Sequence, residues 1–193
     1  MIYLIVASIV LAIGWLGWKM TSRSSYESAE YQIVESDGSF EVREYPDLML
    51  VTTPMEFQSQ GNDGSFGRLF QYISGENESS RKVAMTTPVF MENADESSRG
   101  QMGFVIPKEV VAEGTPDPKR DNVQLRERSG GRFAVIRFSG RVSSDIRAEN
   151  EKQLRAWMSS KSLVGDSRAE YAGYDPPWTP GPFRRNEVLV RLK

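Results

Sequence analysis

Apolar and polar residues alternate over several short segments of this 193-residue chain, which is the pattern of half-buried β-strands. The first two segments, YQIVE and FEVREY, flank SDGS, and Asp37-Gly38 favours a tight hairpin turn between them. The other predicted strands are LMLVTTPMEF, KVAMTTPVFM, QMGFVIP, VQLRERS, RFAVIRFSG, RAEYAGYD and NEVLVRL. Most of these strands are linked by turn residues, so the pattern predicts an antiparallel sheet.

Two segments have the spacing of an amphipathic helix instead. The first predicted helix ends near Gly75 and carries an apolar stripe formed by Phe66, Leu69, Phe70 and Ile73. The second begins at Ser143 or Ser144, either of which can cap it, and runs to about Lys161. Its stripe consists of Ile146, Leu154, Trp157 and Met158.

The order of these elements indicates an internal duplication. VAMTTPVF at 83–90 and YAGYDPPW at 171–178 share a plan at a constant offset of 88 residues. Upstream, EVREY is matched by QLRER and LMLV by FAVI, and QMGFVIP and NEVLVRL follow the two copies. We therefore predict an α+β domain, a twisted antiparallel β-barrel built from a duplicated ββαββ unit with two flanking helices.

The N-terminal segment has a different character from the rest. Residues 2–18 carry no charge and are followed by Lys19 and Arg23, and Trp15 and Trp18 stand where an interfacial belt would place them. This pattern predicts a transmembrane anchor. A cleaved signal peptide is the alternative, but no Lys or Arg precedes the apolar run and no A-x-A site follows it.

With an anchor at 2–18, residues 19–30 form a linker and residues 31–193 form the folded domain. About 160 residues suffice for one domain with a full core. The basic residues follow the apolar segment, and the positive-inside rule then places the domain on the cytoplasmic side of a single-pass membrane protein.

Composition removes several kinds of chemistry. The chain has no cysteine and no histidine, which excludes disulfides, thiolate nucleophiles, iron–sulfur ligation and imidazole as base or haem ligand. The net charge of −2 gives no basic excess for a nucleic-acid backbone, so nucleic acid is not an expected partner.

Three segments resemble a known family. GYDPPWTPGPFRRNEV at 173–188, EVREY near the start and MTTPV at 85–89, together with the duplicated layout, are similar to the SOUL haem-binding proteins. The resemblance implies a twisted barrel with two helices and a shallow apolar site for haem or another tetrapyrrole beside the first helix. It implies no catalytic activity. A histidine suggested as iron ligand in some relatives has no counterpart here.

A porphyrin needs a flat apolar wall and cations for its propionates. The candidate haem-binding residues are Phe66, Leu69, Phe70, Ile73, Met85, Tyr174 and Trp178. The candidate propionate partners are Arg68, Arg184 and Arg185. Burial in the core is the simplest explanation of the helical stripe, and a solvated loop or a salt bridge to Asp175 or Glu187 is the alternative for Arg184 and Arg185. Iron, if ligated, falls to Tyr174 or Met85, and binding without ligation stays open.

The leading hypothesis is a membrane-anchored haem- or tetrapyrrole-binding protein that buffers, carries or senses its ligand, mainly through apolar contact. A binding module for another apolar ligand or for a protein partner is the alternative, since a fold does not fix its ligand. A hydrolase using Glu and Tyr is a third hypothesis, although the sequence shows no carboxylate pair at a telling spacing, and we predict no catalytic residue.

Overall fold

The computed structural model describes residues 26–56, 63–92, 100–176 and 178–193. Within them the strands are β1 (Glu27–Ser28), β2 (Gln32–Asp37), β3 (Phe40–Tyr45), β4 (Leu48–Pro54), β5 (Thr86–Thr87), β6 (Val89–Glu92), β7 (Gln101–Val105), β8 (Gln124–Arg128), β9 (Gly131–Phe138), β10 (Glu170–Gly173) and β11 (Asn186–Arg191). The helices are α1 (Ser65–Ile73), α2 (Lys108–Glu113) and α3 (Ser144–Ser160), and Gly181–Phe183 forms a single 3₁₀ turn.

Nine strands form one antiparallel sheet in the order β2-β3-β9-β11-β10-β6-β7-β4-β8, and β1 and β5 form a small parallel pair. The sheet curls into a half-barrel. The α+β class and the antiparallel curl are confirmed, and the predicted barrel is confirmed in part, because the sheet forms only a half-barrel. β2 and β8 are edges that do not pair with each other, and every residue of β2 is exposed.

The strand order also shows the duplication. β6 and β10 pair at the centre of the sheet, where Met91 lies opposite Tyr171. On one side of this pair the sheet continues with β7 and then β4, and on the other side it continues with β11 and then β9. The first strand of each copy then pairs with the other copy, β3 with β9 and β8 with β4. Each copy therefore completes the sheet of its neighbour, which makes one domain of the two.

The connection between β3 and β4 and the connection between β8 and β9 pass close to each other at Gly130. A Cβ atom at this position would lie 2.5 Å from the carbonyl oxygen of Tyr45 and 2.9 Å from the amide nitrogen of Asp47. Asp47 in turn accepts a hydrogen bond from the amide of Gly130 at 2.7 Å. Only glycine permits backbones to approach so closely.

The structural alignment of the two copies differs from the alignment of 83–90 with 171–178 that sequence similarity suggested. β6 begins at Val89 and its counterpart β10 begins at Glu170. YAGYDPPW therefore starts on the central strand, whereas most of VAMTTPVF precedes it. The constant offset of 88 residues between them is not the structural correspondence, because the connections before the two strands differ in length.

The helices pack on the convex face, α1 on β4 and β7 and α3 on β9 and β11. The predicted helices are confirmed, and the Ser143 hydroxyl caps α3 by accepting a hydrogen bond from the amide of Ile146 at 3.3 Å. Ile146 itself is 40% exposed, so it does not belong to the buried stripe as predicted. The third helix, α2, was not predicted, because six residues are too few to show a period.

The expected membrane location requires correction. In the part of the chain that the structure describes, no helix is long and apolar enough to cross a bilayer. The segment 2–18, on which that prediction was based, lies outside the described residues, as does most of the linker 19–30.

Candidate functional site

Helix α1 exposes an aromatic wall, by which we mean Phe66 and Phe70. Their rings are nearly parallel, with an interplanar angle of 14° and centroids 6.2 Å apart. Phe70 is 50% exposed, while Phe66 is half-buried with its ring edge-on to Phe104 at 5.2 Å. Gly67 lies between them on the helix, and among the described residues nothing comes within 4 Å of a Cβ atom placed there. The result is a partly exposed aromatic surface beside bare helix backbone.

The other half of the predicted stripe is core. Leu69 and Ile73 are 0% and 5% exposed and pack with Phe104 against the sheet. Half-buried Met85 packs against the same cluster. The stripe thus serves two purposes, because its buried residues hold α1 on the sheet while the aromatic wall faces outward.

Arg68 ties α1 to the end of β4. Its Nε donates to Thr53 Oγ1 at 2.9 Å, Nη2 to the carbonyl oxygen of Pro54 at 2.6 Å, and Nη1 to that of Asp63 at 3.2 Å. The guanidinium therefore positions the helix that bears the aromatic wall. Binding of a propionate by Arg68 remains a prediction, and it would require Arg68 to give up some of these hydrogen bonds in favour of the propionate.

A buried charge network, centred on Arg43 and Glu187, fills one end of the concave face. Arg43 donates through Nη1 and Nη2 to the two carboxylate oxygens of Glu187 at 2.7 and 3.0 Å, and through Nε to Glu41 at 2.6 Å. Both central side chains are fully buried. Burial alone would raise the pKa of Glu187, but hydrogen bonds and charge from Arg43 and Arg185 lower it below its ordinary value.

Tyr174 and Arg185 belong to this network. The Tyr174 hydroxyl donates to Glu187 Oε2 at 2.9 Å, and the Arg185 guanidinium lies 4.0 Å from the centre of the Tyr174 ring while its Nη2 reaches Glu187 Oε1 at 2.6 Å. Burial raises the pKa of Tyr174 well above its usual value, with a further contribution from the charge of Glu187. A tyrosinate at this position is therefore costly, and iron ligation by Tyr174 stays a prediction that this environment opposes.

The proline-rich segment between β10 and β11 presents the remaining candidates. Trp178 is 67% exposed, and Arg184 donates through Nε to the carbonyl oxygen of Thr179 at 2.8 Å. The structure thus separates the predicted site residues. Phe66 and Phe70 adjoin each other, Leu69, Ile73 and Met85 lie beneath them, and Tyr174 and Arg185 lie in the concave network.

The concave face also holds a charged row, defined as Glu92, Gln101, Arg126, Arg128 and Glu170. Glu92 lies directly opposite Gln101 on one side and Glu170 on the other, since β10, β6 and β7 are neighbours. Arg126 binds Glu92 through both Nη atoms, and Arg128 donates from Nε to Glu170 at 2.8 Å. Among the described residues, no cluster of three or more acidic side chains could hold a metal ion.

Comparison with known proteins accounts for this architecture. A family model described as SOUL heme-binding protein matches residues 26–191.

The chain belongs to the SOUL heme-binding protein family.

Among curated SOUL proteins, heme-binding protein 1 of Xenopus tropicalis is 27% identical over 162 residues, which cover 80% of this chain and 84% of that protein. Human heme-binding protein 2 is 28% identical over 148 residues, 72% of each chain. Family membership supports haem as the ligand and confirms the predicted resemblance.

Two solved structures share the fold. The C-terminal domain of EcmrR superposes with a TM-score of 0.56 at 12% identity, covering 84% of this chain and 98% of that domain. EcmrR in a complex with DNA gives a TM-score of 0.61 at 10% identity, and there the match spans 57% of the EcmrR chain. At this identity the similarity concerns the fold alone.

The SOUL domain described here offers surfaces that suit a porphyrin. The two rings of the aromatic wall are apolar, nearly parallel and partly exposed, and Gly67 leaves the helix backbone beside them open. Phe66 and Phe70 would hold the macrocycle by stacking. Bound haem would supply its iron for redox or ligand chemistry, and imidazole ligation is impossible because the chain has no histidine.

Two features escaped sequence analysis. Gly67 is a glycine in the middle of a helical pattern, and that exception was an available signal for a ligand face. The Arg43–Glu187 pair joins residues 144 positions apart, and only the exchange of first strands between the copies brings them together. No local pattern could have indicated it.

Proposed function

We propose that this SOUL protein binds haem, or a related tetrapyrrole, on the aromatic wall of α1, mainly through apolar contact and without histidine ligation. The observation that carries the proposal is the nearly parallel pair of Phe66 and Phe70, of which Phe70 is 50% exposed. A half-exposed aromatic ring on a surface helix gains most when a flat apolar partner covers it. Family membership supports haem as that partner.

The mode of use follows from the shallowness of the surface. A ligand that lies against one exposed wall exchanges readily, which suits buffering, carriage or sensing of haem better than permanent retention. An enclosed prosthetic-group pocket would instead bury most of its ligand. We propose no catalytic step, because the aromatic wall carries no acid, base or nucleophile and the hydroxyl-bearing residues of α1, Ser65 and Tyr72, are buried.

Hemin titration of the purified protein, followed by the Soret band, tests the proposal. Wild type should saturate near one hemin per chain, and Phe70→Ser should weaken the affinity about tenfold, or ~1.4 kcal/mol, because part of the ring no longer contributes apolar area. The matched control is Ile146→Ser, which removes a 40% exposed apolar side chain from the other long helix.

Ile146→Ser should leave hemin affinity unchanged. Equal weakening by both variants, or titration that never saturates, would refute a specific site on α1. Saturable binding that is insensitive to Phe70→Ser would place haem elsewhere on the molecule. Biliverdin and protoporphyrin titrations then establish whether the iron contributes to affinity.

A further inference from the structure

We infer that the charged row on the concave face binds the carboxylate of a small organic acid. This site is distinct from the aromatic wall, which α1 presents on the convex side of the sheet. The inference rests on the hydrogen-bonding state of Arg126, Arg128 and Gln101, and it does not depend on haem binding.

Arg128 is the central residue of the charged row. Only 3% of its side chain is exposed, and its guanidinium lies 4.2, 4.6 and 5.1 Å from the ring centres of Phe133, Phe90 and Tyr45. Nε donates to Glu170 Oε2, and Nη2 lies 2.7 Å from the same oxygen. Nη1 has no hydrogen-bond partner among the described residues.

Arg126 and Gln101 also carry a buried polar atom without a hydrogen-bond partner among the described residues. Arg126 uses both Nη atoms on Glu92, but its buried Nε donates to nothing in the described part of the chain. The buried Oε1 of Gln101 likewise finds no partner there, and a rotated amide would present an N–H donor at the same point. Buried polar atoms are nearly always paired, so three of them on residues of the same charged row indicate a missing partner.

The register and the ion pairs arrange the residues that carry these atoms around one carboxylate row. Gln101 lies opposite Glu92, which Arg126 binds, and Glu92 lies opposite Glu170, which Arg128 binds. Arg126 and Arg128 are two residues apart on β8 and therefore face the same side of the sheet. The unpaired donors of both guanidinium groups consequently border the same carboxylate row.

The donors specify the chemistry of the ligand. Guanidinium edges match a planar carboxylate, and the aromatic rings around Arg128 exclude water, which strengthens a charge-assisted hydrogen bond. Glu92 and Glu170 already offset the two positive charges, so the site favours a singly charged anion over a multiply charged one. The tight packing around Arg128 limits the ligand to a small acid of the size of formate or acetate.

Nuclear magnetic resonance of the arginine Nε–Hε groups tests the inference with the ¹⁵N-labelled protein. Sodium acetate, titrated against sodium chloride at equal ionic strength, should shift the Arg126 and Arg128 signals saturably. Arg120, which pairs with Glu76 on the surface, is the internal control and should not respond. Gln101→Leu should weaken acetate binding about fivefold, since it removes one polar partner without changing charge.

Arg128→Lys keeps the charge and should abolish the saturable shift at Arg126, whereas Arg120→Lys should leave it intact. If Arg128→Lys fails to fold, the Gln101→Leu titration decides. Shifts that chloride reproduces, or that rise linearly with acetate, overturn the inference and leave an ordered water as the partner of these donors.

Discussion

The two copies of the ββαββ unit place an arginine at the same point of their first strand, and the surroundings of the two differ. Arg43 lies opposite Phe133 on β9, and Arg126 lies opposite Leu50 on β4. Arg43 is 0% exposed and uses Nε, Nη1 and Nη2 in hydrogen bonds. Arg126 has 37% of its side chain exposed, and among the described residues it has one acidic hydrogen-bond partner and none for Nε.

A difference in residue type at one position of the last strand of each copy explains much of this difference. Glu187 on β11 lies opposite Ala172, and the corresponding place on β7, opposite Glu92, is occupied by Gln101. The carboxylate of Glu187 accepts from Arg43, Arg185 and Tyr174, whereas a neutral amide cannot balance a guanidinium. Glu187 therefore completes a closed network, whereas Gln101 leaves donors of Arg126 and Arg128 without a partner in the described part of the chain.

The sharpest test of this contrast is the same substitution in both copies. Arg43→Met should lower the free energy of unfolding by about 3–5 kcal/mol, because it leaves Glu187 buried without its main partner. Arg126→Met should cost no more than about 1 kcal/mol, since its pair with Glu92 is partly exposed. Urea unfolding at neutral pH measures both values, and equal losses would contradict the assignment of different roles.

Acid titration sharpens the comparison further. The folded-state pKa of Glu187 lies below its ordinary value of 4.5, so its stabilising contribution is fully present above that pH and is lost as pH falls through the folded-state value. Glu187→Gln should therefore cost roughly 3 kcal/mol at pH 7, and the gap to wild type should narrow below about pH 4.

Unfolding curves collected from pH 7 to pH 3 measure this gap. Glu92→Gln, in the other copy, is the matched control and should show a small difference at every pH. A gap that stays constant for Glu187→Gln down to pH 3 would mean that the network does not hold the carboxylate ionised.

The elements that were predictable from sequence are those with a local signal. Alternation located β3, β4, β8 and β9, and the i, i+3, i+4 spacing located α1 and α3, because each pattern depends on neighbouring residues. Closure of the barrel was not predictable, since it depends on whether β2 and β8 meet, and they lie 86 residues or more apart in the chain. Local pattern carries no information about that distance.

The candidate site divides in the same way. The sequence indicated the apolar stripe of α1, but which side chains of the stripe are exposed depends on how the helix sits on β4 and β7. A salt bridge from Arg185 to Glu187 was the alternative to a propionate contact, and the structure shows this salt bridge, but its sharing with Arg43 of the other copy was not predictable. Long-range pairing of this kind determines which charges remain available for a ligand.

The two long helices give the last and smallest contrast. α3 has 17 residues and a serine cap, whereas α1 has nine, begins after Gly64 in the left-handed region at a φ of 82° and contains Gly67. Glycine inside a helix costs up to about 1 kcal/mol relative to alanine. Since a Cβ at Gly67 would touch nothing among the described residues, Gly67→Ala should raise the stability by up to about that amount.

If the bare backbone at Gly67 helps a porphyrin to lie flat beside Phe66 and Phe70, the same Gly67→Ala variant should bind hemin several-fold more weakly although it is more stable. The matched control is Ala148→Gly at an exposed position of α3, which should lose a similar amount of stability and keep its hemin affinity. Thermal unfolding and Soret titration measure the two quantities separately. A stabilised Gly67→Ala with unchanged affinity would show that the ligand does not approach this part of α1, and it would confine haem contact to the aromatic rings themselves.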